Sequence, residues 1–329
     1  MPAIAIADAL RADGHDVVFV GGERAEADLV PAAGYPLEPI RVEGISRTNP
    51  LKAARAVVRA GTALAQASRI LKRHRPDAVL GGGGYVAGPV GLAAVARRIP
   101  LVLTEADSHL GLTNRLLARA AKRVALAFPL EGRDADRYLV TGRAVPPTDT
   151  DRAGARAGFG IGPDELCVLV FGGSLGARSI NLAAVAAFAD APFRVLHVAG
   201  RRDFAELEAP NERYILRDYV TPFSRALAAS DVAVARAGGS VFELAQYGLP
   251  AVLIPYPHAS ADHQTTNARW MAGAGAAVVI PDEELSPARL ASAVAEVIAA
   301  RPAMAAAARA LARPDAAQVI AREVVAAAG

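Results

Sequence analysis

The stretch with the clearest chemical potential is a glycine-rich turn in the middle of the chain. The apolar run Leu166–Phe171 predicts a strand covered on both faces, as in a parallel sheet, and the turn Gly172–Gly176 separates it from a helix beginning near Ala177. Glycines let the backbone approach a ligand, and a helix start offers unpaired N–H groups to an anion. The pattern indicates a phosphate site, although an ordinary strand-to-helix turn explains this stretch alone equally well.

A second glycine-rich stretch, Gly81–Gly84, follows a short apolar strand predicted at 77–80. Tyr85 comes directly after it, and a helix is predicted over Val90–Arg98. The glycines could form a flexible loop, but their place between a parallel strand and a helix favours close approach of the backbone to a ligand, with Tyr85 at the rim.

Two carboxylates and a histidine, Glu105, Asp107 and His109, follow the next predicted strand, Leu101–Thr104. The carboxyl ends of strands are where α/β sheets bind ligands, and a carboxylate near a substrate hydroxyl can act as a general base. The alternative is structural, because Asp107 or the neighbouring Ser108 could cap the following helix.

A third glycine turn, Gly238–Ser240, follows a strand predicted at 231–235. Glu243 in the first turn of the next helix could accept two hydrogen bonds from a ribose diol, or it could stabilise the helix N-terminus. After a further strand, a polar segment containing His263 and Gln264 is typical of a clamp for sugar hydroxyls, although a single histidine is more often structural.

Strands and helices alternate along the whole chain, which predicts an α/β fold with two doubly wound, Rossmann-like domains whose parallel sheets face a cleft. We expect an N-terminal domain over 1–143, a C-terminal domain over 144–311, and a terminal helix over 312–329 that packs back on the N-terminal domain. A first strand and glycine turn would normally precede the helix Pro2–Ala12, so we expect that strand to be missing from this chain.

Composition narrows the class of protein. Of 329 residues, 53% are hydrophobic, enough for two cores, and neither a signal peptide nor a membrane-spanning run is predicted, which indicates a cytoplasmic protein. The single cysteine, Cys167, lies in the apolar run and is expected in the core, so no disulfide or cysteine metal site is predicted.

The positive charge is concentrated in the first half of the chain. The first 150 residues hold 20 Lys and Arg against 15 Asp and Glu, with basic clusters at Lys52–Arg59 and Arg69–Arg75 that alternate with apolar residues at helical spacing. Such a stripe is a solvated helix face or a contact for an anionic membrane. Nucleic acid is not expected as a partner, because aromatic residues are only 5% and do not accompany the basic clusters.

Six stretches together resemble the MurG family of GT-B glycosyltransferases, over nearly the whole chain. They are EADLVP at Glu26–Pro31, GGGGYVAGP at Gly81–Pro89, GLTNRLLA at Gly111–Ala118, FGGSLGAR at Phe171–Arg178, RAGGSVFELAQYGLPAVLIPYP at Arg236–Pro257 and DHQTTNA at Asp262–Ala268. The pattern differs from a dinucleotide-binding dehydrogenase, because no GxGxxG turn opens the chain.

The resemblance implies inverting transfer of N-acetylglucosamine from UDP-N-acetylglucosamine to the muramoyl 4-hydroxyl of lipid I. The product is lipid II, the precursor of peptidoglycan, so the resemblance also implies a role in cell shape and cell division. It implies a peripheral enzyme at the cytoplasmic face of the inner membrane that needs no metal or cofactor. The implied donor-binding residues are Arg143, Gly173, Ser174, Leu175, Gly176, Gly238, Gly239, Ser240, Glu243, His263 and Gln264; the acceptor-side residues are Gly82, Gly83, Gly84, Tyr85 and Asn114; the catalytic candidates are Glu105, Asp107 and Tyr85.

The chain also departs from the family pattern. The family motif HEQN is Thr104–Asp107 here, with only Glu105 matching, GNPVR corresponds to Gly142–Pro146, and the family's early GGTxGH turn is expected to be missing. Two alternatives therefore stand beside the main prediction. One is a related GT-B enzyme acting on another lipid or small aglycone, and the other is a nucleotide-sugar-binding protein without catalysis.

Overall fold

A computed structural model describes residues 2–22, 25–40, 50–133, 136–173, 176–259 and 262–329, with only the backbone for 50–60. The chain divides into two compact units. Unit 1 comprises Met1–Pro146 and Arg313–Gly329, and unit 2 comprises Pro147–Ala312.

Unit 1 alternates strands with helices. Its elements are α1 (Pro2–Ala12), β1 (Phe19–Gly21), α2 (Ala25–Ala32), β2 (Leu37–Pro39), α3 (Pro50–His74), β3 (Val79–Gly81), α4 (Gly84–Ala96), β4 (Leu101–Glu105), α5 (Leu112–Leu117), β5 (Arg123–Leu126) and β6 (Tyr138–Val140).

The strands of unit 1 are parallel. In the described residues β3, β4, β5 and β6 form one sheet in chain order, and β1 pairs with β2 separately. One core lies between this sheet and helices α3, α4 and α5, around Leu101, Leu103 and Leu126. The last helix of the chain, which follows unit 2 in sequence, also belongs to unit 1 and packs on α1 and on the other face of the sheet, around Ile6, Val102 and Ile320.

Unit 2 and the terminal helix complete the order of elements. They are α6 (Arg152–Gly158), β7 (Cys167–Phe171), α7 (Arg178–Ala187), β8 (Arg194–Val198), β9 (Tyr214–Arg217), α8 (Ser224–Ala229), β10 (Val232–Ala235), α9 (Ser240–Tyr247), β11 (Ala251–Leu253), α10 (His263–Gly273), β12 (Ala277–Val279), α11 (Pro287–Ala299), α12 (Arg301–Leu311) and, in unit 1, α13 (Ala316–Ala328).

The sheet of unit 2 is parallel and doubly wound, with the order β12-β11-β10-β7-β8-β9. The chain proceeds from β7 outward in one direction through β8 and β9, and then returns to β10 on the other side of β7. This reversal is a topological switch point, where the loops after neighbouring strands diverge to opposite faces and open a crevice for a ligand. The predicted fold class is confirmed: both units are Rossmann-like and built on parallel sheets.

Several element bounds differ from the sequence predictions. Apolar spacing predicts a long helix over Pro50–His74, and α3 has these bounds. Helix α4, in contrast, begins at Gly84 rather than at the predicted Val90, so the glycine stretch runs directly into the helix. The sequence also predicts a helix over Asp203–Glu208, but the structure has only a 3₁₀ turn there, Phe204–Glu206. Cys167 is fully buried as expected, and burial raises the pKa of its thiol to about 11.

Within the described residues, no single helix is long and apolar enough to cross a bilayer. The bent succession Pro287–Ala299 and Arg301–Ala328 reaches the required length and composition. Its residues Leu290, Val294 and Val297 are packed in the core of unit 2.

Candidate functional site

The turn between β7 and α7 has a backbone path that only glycine allows. Gly176 has φ of +82°, and a Cβ there would lie 2.1 Å from the carbonyl oxygen of Ala199 at the end of β8. A Cβ on Gly172 would lie 2.4 Å from the backbone nitrogen of Ala177, and Gly173 has φ of +94°. The backbone therefore turns tightly beside β8 and leads into the start of α7, an arrangement suited to an anion. Ser174 and Leu175, both predicted site residues, lie outside the described residues.

The turn between β10 and α9 follows a helix-like backbone path rather than a left-handed one. Gly239 has φ of −61°, as in a helix, and α9 begins at Ser240. A Cβ on Gly238 would lie 4.0 Å from Nε2 of Gln264. Because β7 and β10 are neighbours, this turn and the Gly172–Gly176 turn flank the switch point of the sheet.

Gln264 lies in the first turn of α10 with its side-chain amide held in one orientation. Its Oε1 accepts a hydrogen bond from the backbone N–H of Tyr256 at 2.9 Å. A backbone N–H can only donate, so the oxygen must face Tyr256 and the NH₂ group must face Gly238. The structure thus directs two N–H donors of Gln264 toward the third glycine turn.

Asn267 joins this group, although it was not among the predicted site residues. Its side chain is 2% exposed, and Nδ2 donates to the carbonyl of Ala237 at 3.0 Å. Its Oδ1 is buried and has no hydrogen-bond partner among the described residues. Buried acceptors of this kind are normally satisfied by water or a ligand. The sequence signal was available, since Gln264 and Asn267 are three residues apart on one helix face.

The other predicted donor residues are distributed over both units. Glu243 is half-buried in the first turn of α9, and His263 is the first residue of α10. Arg143, in contrast, lies in unit 1, where it lines a small cavity of about 30 Å³ together with Thr104 and Glu105. The structure therefore groups Arg143 with the acceptor-side candidates.

A buried polar network supports the end of β8. The ring of His197 contacts Tyr214 Oη at 2.8 Å through Nδ1 and Asn181 Oδ1 at 3.0 Å through Nε2. Because Asn181 donates through Nδ2 to the Ala199 carbonyl and to Asp203, its oxygen must accept, so Nε2 of His197 carries the proton. Burial lowers the pKa of His197 to about 4, so the ring is neutral.

This network reaches the surface at the carboxyl end of the sheet. Arg202 donates to both oxygens of Asp203 at 2.8 and 2.9 Å, and these hydrogen bonds hold the pKa of Asp203 below its usual range. The adjacent Arg201 lies over the ring of Tyr219, 4.8 Å from the centroid. The Ala199 carbonyl, which Gly176 approaches, is thus held by a hydrogen bond from Asn181. Two arginines, Arg201 and Arg202, follow soon after Ala199 in the chain.

In unit 1 the glycines after β3 pack against side chains from β4 and α5. Gly83 and Gly84 have φ of +79° and +77°, and a Cβ on Gly83 would lie 3.5 Å from Nδ2 of Asn114. Thr113 donates to the Gly84 carbonyl at 3.1 Å, which ties the start of α5 to the start of α4. Tyr85 is in the first turn of α4 and is 62% exposed, so its ring is available to a ligand.

Glu105 is the hub of the β4–α5 loop. It is 7% exposed; Oε1 accepts from the backbone N–H of Asp107 at 3.2 Å, and Oε2 accepts from Gly111 N at 2.8 Å and Asn114 Nδ2 at 2.9 Å. Asn114 also donates to the Thr104 carbonyl at 2.9 Å, while its Oδ1 is buried without a hydrogen-bond partner among the described residues. The carboxylate therefore closes the loop that presents Asp107 and His109, both partly exposed.

The carboxyl ends of β3 and β4 bring most of the acceptor-side candidates to one edge of unit 1, namely Gly82, Gly83, Gly84, Tyr85, Glu105, Asp107 and Asn114. In the described ranges no group of three or more His, Cys, Asp and Glu side chains could hold a metal ion.

Two Rossmann-type units, each with glycine turns at the carboxyl edge of a parallel sheet, are the architecture of the GT-B glycosyltransferases. The comparisons agree: residues 1–126 match the glycosyltransferase family 28 N-terminal domain, and residues 167–322 match its C-terminal domain. Among solved structures, the MurG of Acinetobacter baumannii is similar with a TM-score of 0.78 and 29% identity, over 99% of this chain and 95% of that chain.

Curated relatives define the family more narrowly. A protein of Moorella thermoacetica is 41% identical over 345 residues, covering 97% of this chain and 93% of its own length, and one of Alkalilimnicola ehrlichii is 43% identical over 340 residues, covering 98% and 93%. Both are named UDP-N-acetylglucosamine--N-acetylmuramyl-(pentapeptide) pyrophosphoryl-undecaprenol N-acetylglucosamine transferase. The chain belongs to this family, the MurG glycosyltransferases, as its motifs predicted.

Proposed function

We propose that this protein transfers N-acetylglucosamine from UDP-N-acetylglucosamine to the muramoyl 4-hydroxyl of lipid I and so forms lipid II. The relatives' names state this reaction for them, and the observation that carries it here is the Gln264 amide directed at Gly238 beside the switch point of unit 2. We assign donor binding to the domain 144–311 and acceptor binding to the domain 1–143, supported by helix 312–329.

On the donor side, the glycine turn after β7 and the start of α7 would take the pyrophosphate, and Gly238–Ser240 would lie along the phosphate side. Glu243 would accept hydrogen bonds from the ribose diol, while His263, Gln264 and Asn267 would contact sugar hydroxyls. The support is chemical complementarity, because backbone N–H groups at helix starts suit phosphate oxygens and amide groups suit hydroxyls.

In the reaction the acceptor 4-oxygen forms a bond to the anomeric carbon, and the bond from that carbon to the UDP phosphate oxygen breaks with inversion. Negative charge then develops on the leaving UDP, where N–H donors and the positive end of α7 would stabilise it. These groups are fixed by the fold before the substrate arrives, so they need little reorganisation.

The acceptor hydroxyl also loses a proton. Because both oxygens of Glu105 already accept N–H donors, we assign that residue a positioning role and propose Asp107 as the general base. Tyr85 and the glycines Gly82–Gly84 would contact the lipid pyrophosphate, and Arg143 would add positive charge at the same edge of unit 1.

We propose further that unit 1 rests on the anionic cytoplasmic leaflet through α4 and α5. Leu92 is 53% exposed, Leu112 56% and Leu116 69%, and Arg115 and Arg119 on the α5 side are exposed beside them. Of the basic clusters predicted on α3, Arg73 pairs with Glu38 at 2.9 Å, and the side chains of Lys52–Arg59 lie outside the described residues. Exposed leucines flanked by arginines suit a peripheral contact with anionic lipid.

A vesicle assay tests this contact. Leu116→Glu should reduce co-sedimentation with phosphatidylglycerol vesicles, whereas Leu182→Glu, at an exposed leucine on helix α7 of unit 2, should not. Equal binding by both variants would exclude the α4–α5 face.

Transfer itself is tested with UDP-N-acetylglucosamine and a short-chain lipid I analogue. Mass spectrometry identifies the disaccharide product, and the coupling constant of its anomeric proton gives the configuration of the new linkage. Formation of a β-linked product would establish the activity. Binding of the donor without transfer to this acceptor would instead favour the other predicted classes, a glycosyltransferase with a different aglycone or a protein that only binds nucleotide sugars.

A further inference from the structure

Arg236 directly follows β10 and is almost buried, with 12% of its side chain exposed. Its guanidinium donates to the carbonyls of Ile254 at 3.2 Å and Pro255 at 3.1 Å, where the chain leaves β11. The charge is balanced by Asp282, whose Oδ1 lies 2.6 Å from NH1, in the 3₁₀ turn after β12. One side chain therefore joins the ends of three neighbouring strands.

The same guanidinium reaches the phosphate side of the sheet. NH2 donates to Ser179 Oγ at 2.8 Å in the first turn of α7, and this hydroxyl in turn donates to Asp282 at 2.9 Å. Arg236, Ser179 and Asp282 thus form a closed triangle of hydrogen bonds. A planar guanidinium suits such a fork of partners, whereas a lysine ammonium offers only a point charge on a flexible stem.

The contacts of Arg236 lead directly to Gln264. Its two carbonyl partners immediately precede Tyr256, whose ring lies 5.4 Å from the guanidinium carbon, and Tyr256 N–H is the donor that orients the Gln264 amide. A shift of the segment after β11 would move this N–H and release the amide. The NH₂ group would then no longer be held toward Gly238.

We propose that Arg236, with Asp282, is a positioning residue that sets the orientation of the Gln264 amide and thereby the recognition of donor-sugar hydroxyls. Its relevance to the sugar rests on the proposed function, but the positioning itself does not. Arg236 touches no substrate in this role; it acts through Tyr256 and Gln264.

The fold contains a matched control at the opposite end of the same strand. Arg156 is 3% exposed, donates to the carbonyls of Gly162 and Ala229, and pairs with Asp231, the residue just before β10, at 3.4 Å. It is a buried arginine–aspartate pair like Arg236 with Asp282, but it lies at the amino edge of the sheet, away from the glycine turns. Loss of either arginine–aspartate pair should lower the stability of unit 2 by a similar amount.

The test compares Arg236→Lys, Asp282→Asn and Arg156→Lys in the full chain. The first readout is the side-chain NH₂ signal of Gln264 in ¹H–¹⁵N spectra, assigned with Gln264→Ala. In Arg236→Lys and Asp282→Asn we expect this signal to move toward that of a solvent-exposed amide, and in Arg156→Lys to stay in place. An unmoved signal in folded Arg236→Lys would overturn the proposal.

The second readout is selectivity between UDP-N-acetylglucosamine and its 4-epimer UDP-N-acetylgalactosamine. For Arg236→Lys and Asp282→Asn we expect the ratio of kcat/KM values to fall about tenfold while the Kd of UDP changes by less than about threefold. Equal losses of UDP affinity and of sugar affinity would show that Arg236 has only a structural role. If the wild type transfers neither sugar while the amide signal still responds, the proposed function fails and the positioning role stands.

Discussion

The side-chain amide of Asn114 donates to Oε2 of Glu105 at 2.9 Å, across the loop that joins β4 to α5. The same oxygen accepts Gly111 N–H, so the carboxylate receives donors from both sides of the loop and leaves Asp107 at its apex. Glu105, which its position in the sequence suggests as a catalytic residue, therefore holds the loop that carries Asp107.

Glu105→Gln should therefore disturb the loop although the side chain keeps its size. In either orientation the new NH₂ group would face N–H donors, that of Asp107 at the Oε1 position or those of Gly111 and Asn114 at the Oε2 position, and a buried donor left unpaired costs about 1–3 kcal/mol. We expect a lower free energy of unfolding in urea together with slower transfer. Glu131→Gln, at an exposed loop residue of the same unit, is the control and should change neither quantity.

Asp107→Asn tests the general base. Removing the carboxylate should lower kcat about 10²- to 10⁴-fold, with little effect on thermal stability. Asp77→Asn, exposed at the amino end of β3 on the opposite edge of the same sheet, is the matched control. A normal rate in Asp107→Asn would make Asp107 a loop residue only.

Gly176→Ala should damage the phosphate turn. The new Cβ would lie 2.1 Å from the Ala199 carbonyl at a φ of +82°, so the backbone must move away from β8. We expect the Kd of UDP, measured by titration calorimetry, to rise by about tenfold or more. Gly275 has a similar φ of +77°, but no atom lies within 4 Å of a Cβ added there. Gly275→Ala should therefore lower the stability of the protein without weakening its binding of UDP. If both variants bind UDP normally, this turn does not hold the pyrophosphate.

Glu243→Ala should weaken UDP binding about tenfold, or roughly 1.4 kcal/mol, if the carboxylate holds the ribose. The sharper comparison uses 2′-deoxy-UDP, because this ligand lacks one of the two hydroxyls that would donate hydrogen bonds to the carboxylate. The wild type should prefer UDP over the deoxy ligand, and Glu243→Ala should not. Glu296→Ala, exposed on α11 of the same unit, should retain the preference.

His197 should make stability depend on pH. Burial lowers its folded-state pKa from 6.5 to about 4, so between these values the unfolded chain binds a proton that the folded chain excludes. Stability is complete above pH 6.5 and falls as the pH decreases toward 4, by about 3 kcal/mol in total. Urea titrations at several pH values should show a shallower loss of stability in His197→Gln than in the wild type. An identical slope in His197→Gln would mean that this ring does not titrate on unfolding.

The sequence alone determined the features that depend on local spacing. The apolar run before Phe171, the glycine turn after it and the bounds of Pro50–His74 follow from hydrophobic periodicity and from breaker residues, which neighbours in the chain suffice to define. The family could likewise be inferred from motifs, since six separate stretches agree in order and composition.

Tertiary structure alone decided which of these features act together. Only the strand order places the turns after β7 and β10 side by side, because a parallel pair forms between segments far apart in the chain. Only packing shows that Glu105 accepts a hydrogen bond from Asn114 and that Arg236 reaches Tyr256 and Asp282. Only packing shows, too, that the Asn267 oxygen is buried with no hydrogen-bond partner in the part of the chain that the structure describes. Hydrogen bonds across such distances leave no periodicity in sequence, since they depend on where the sheet brings the ends of its strands.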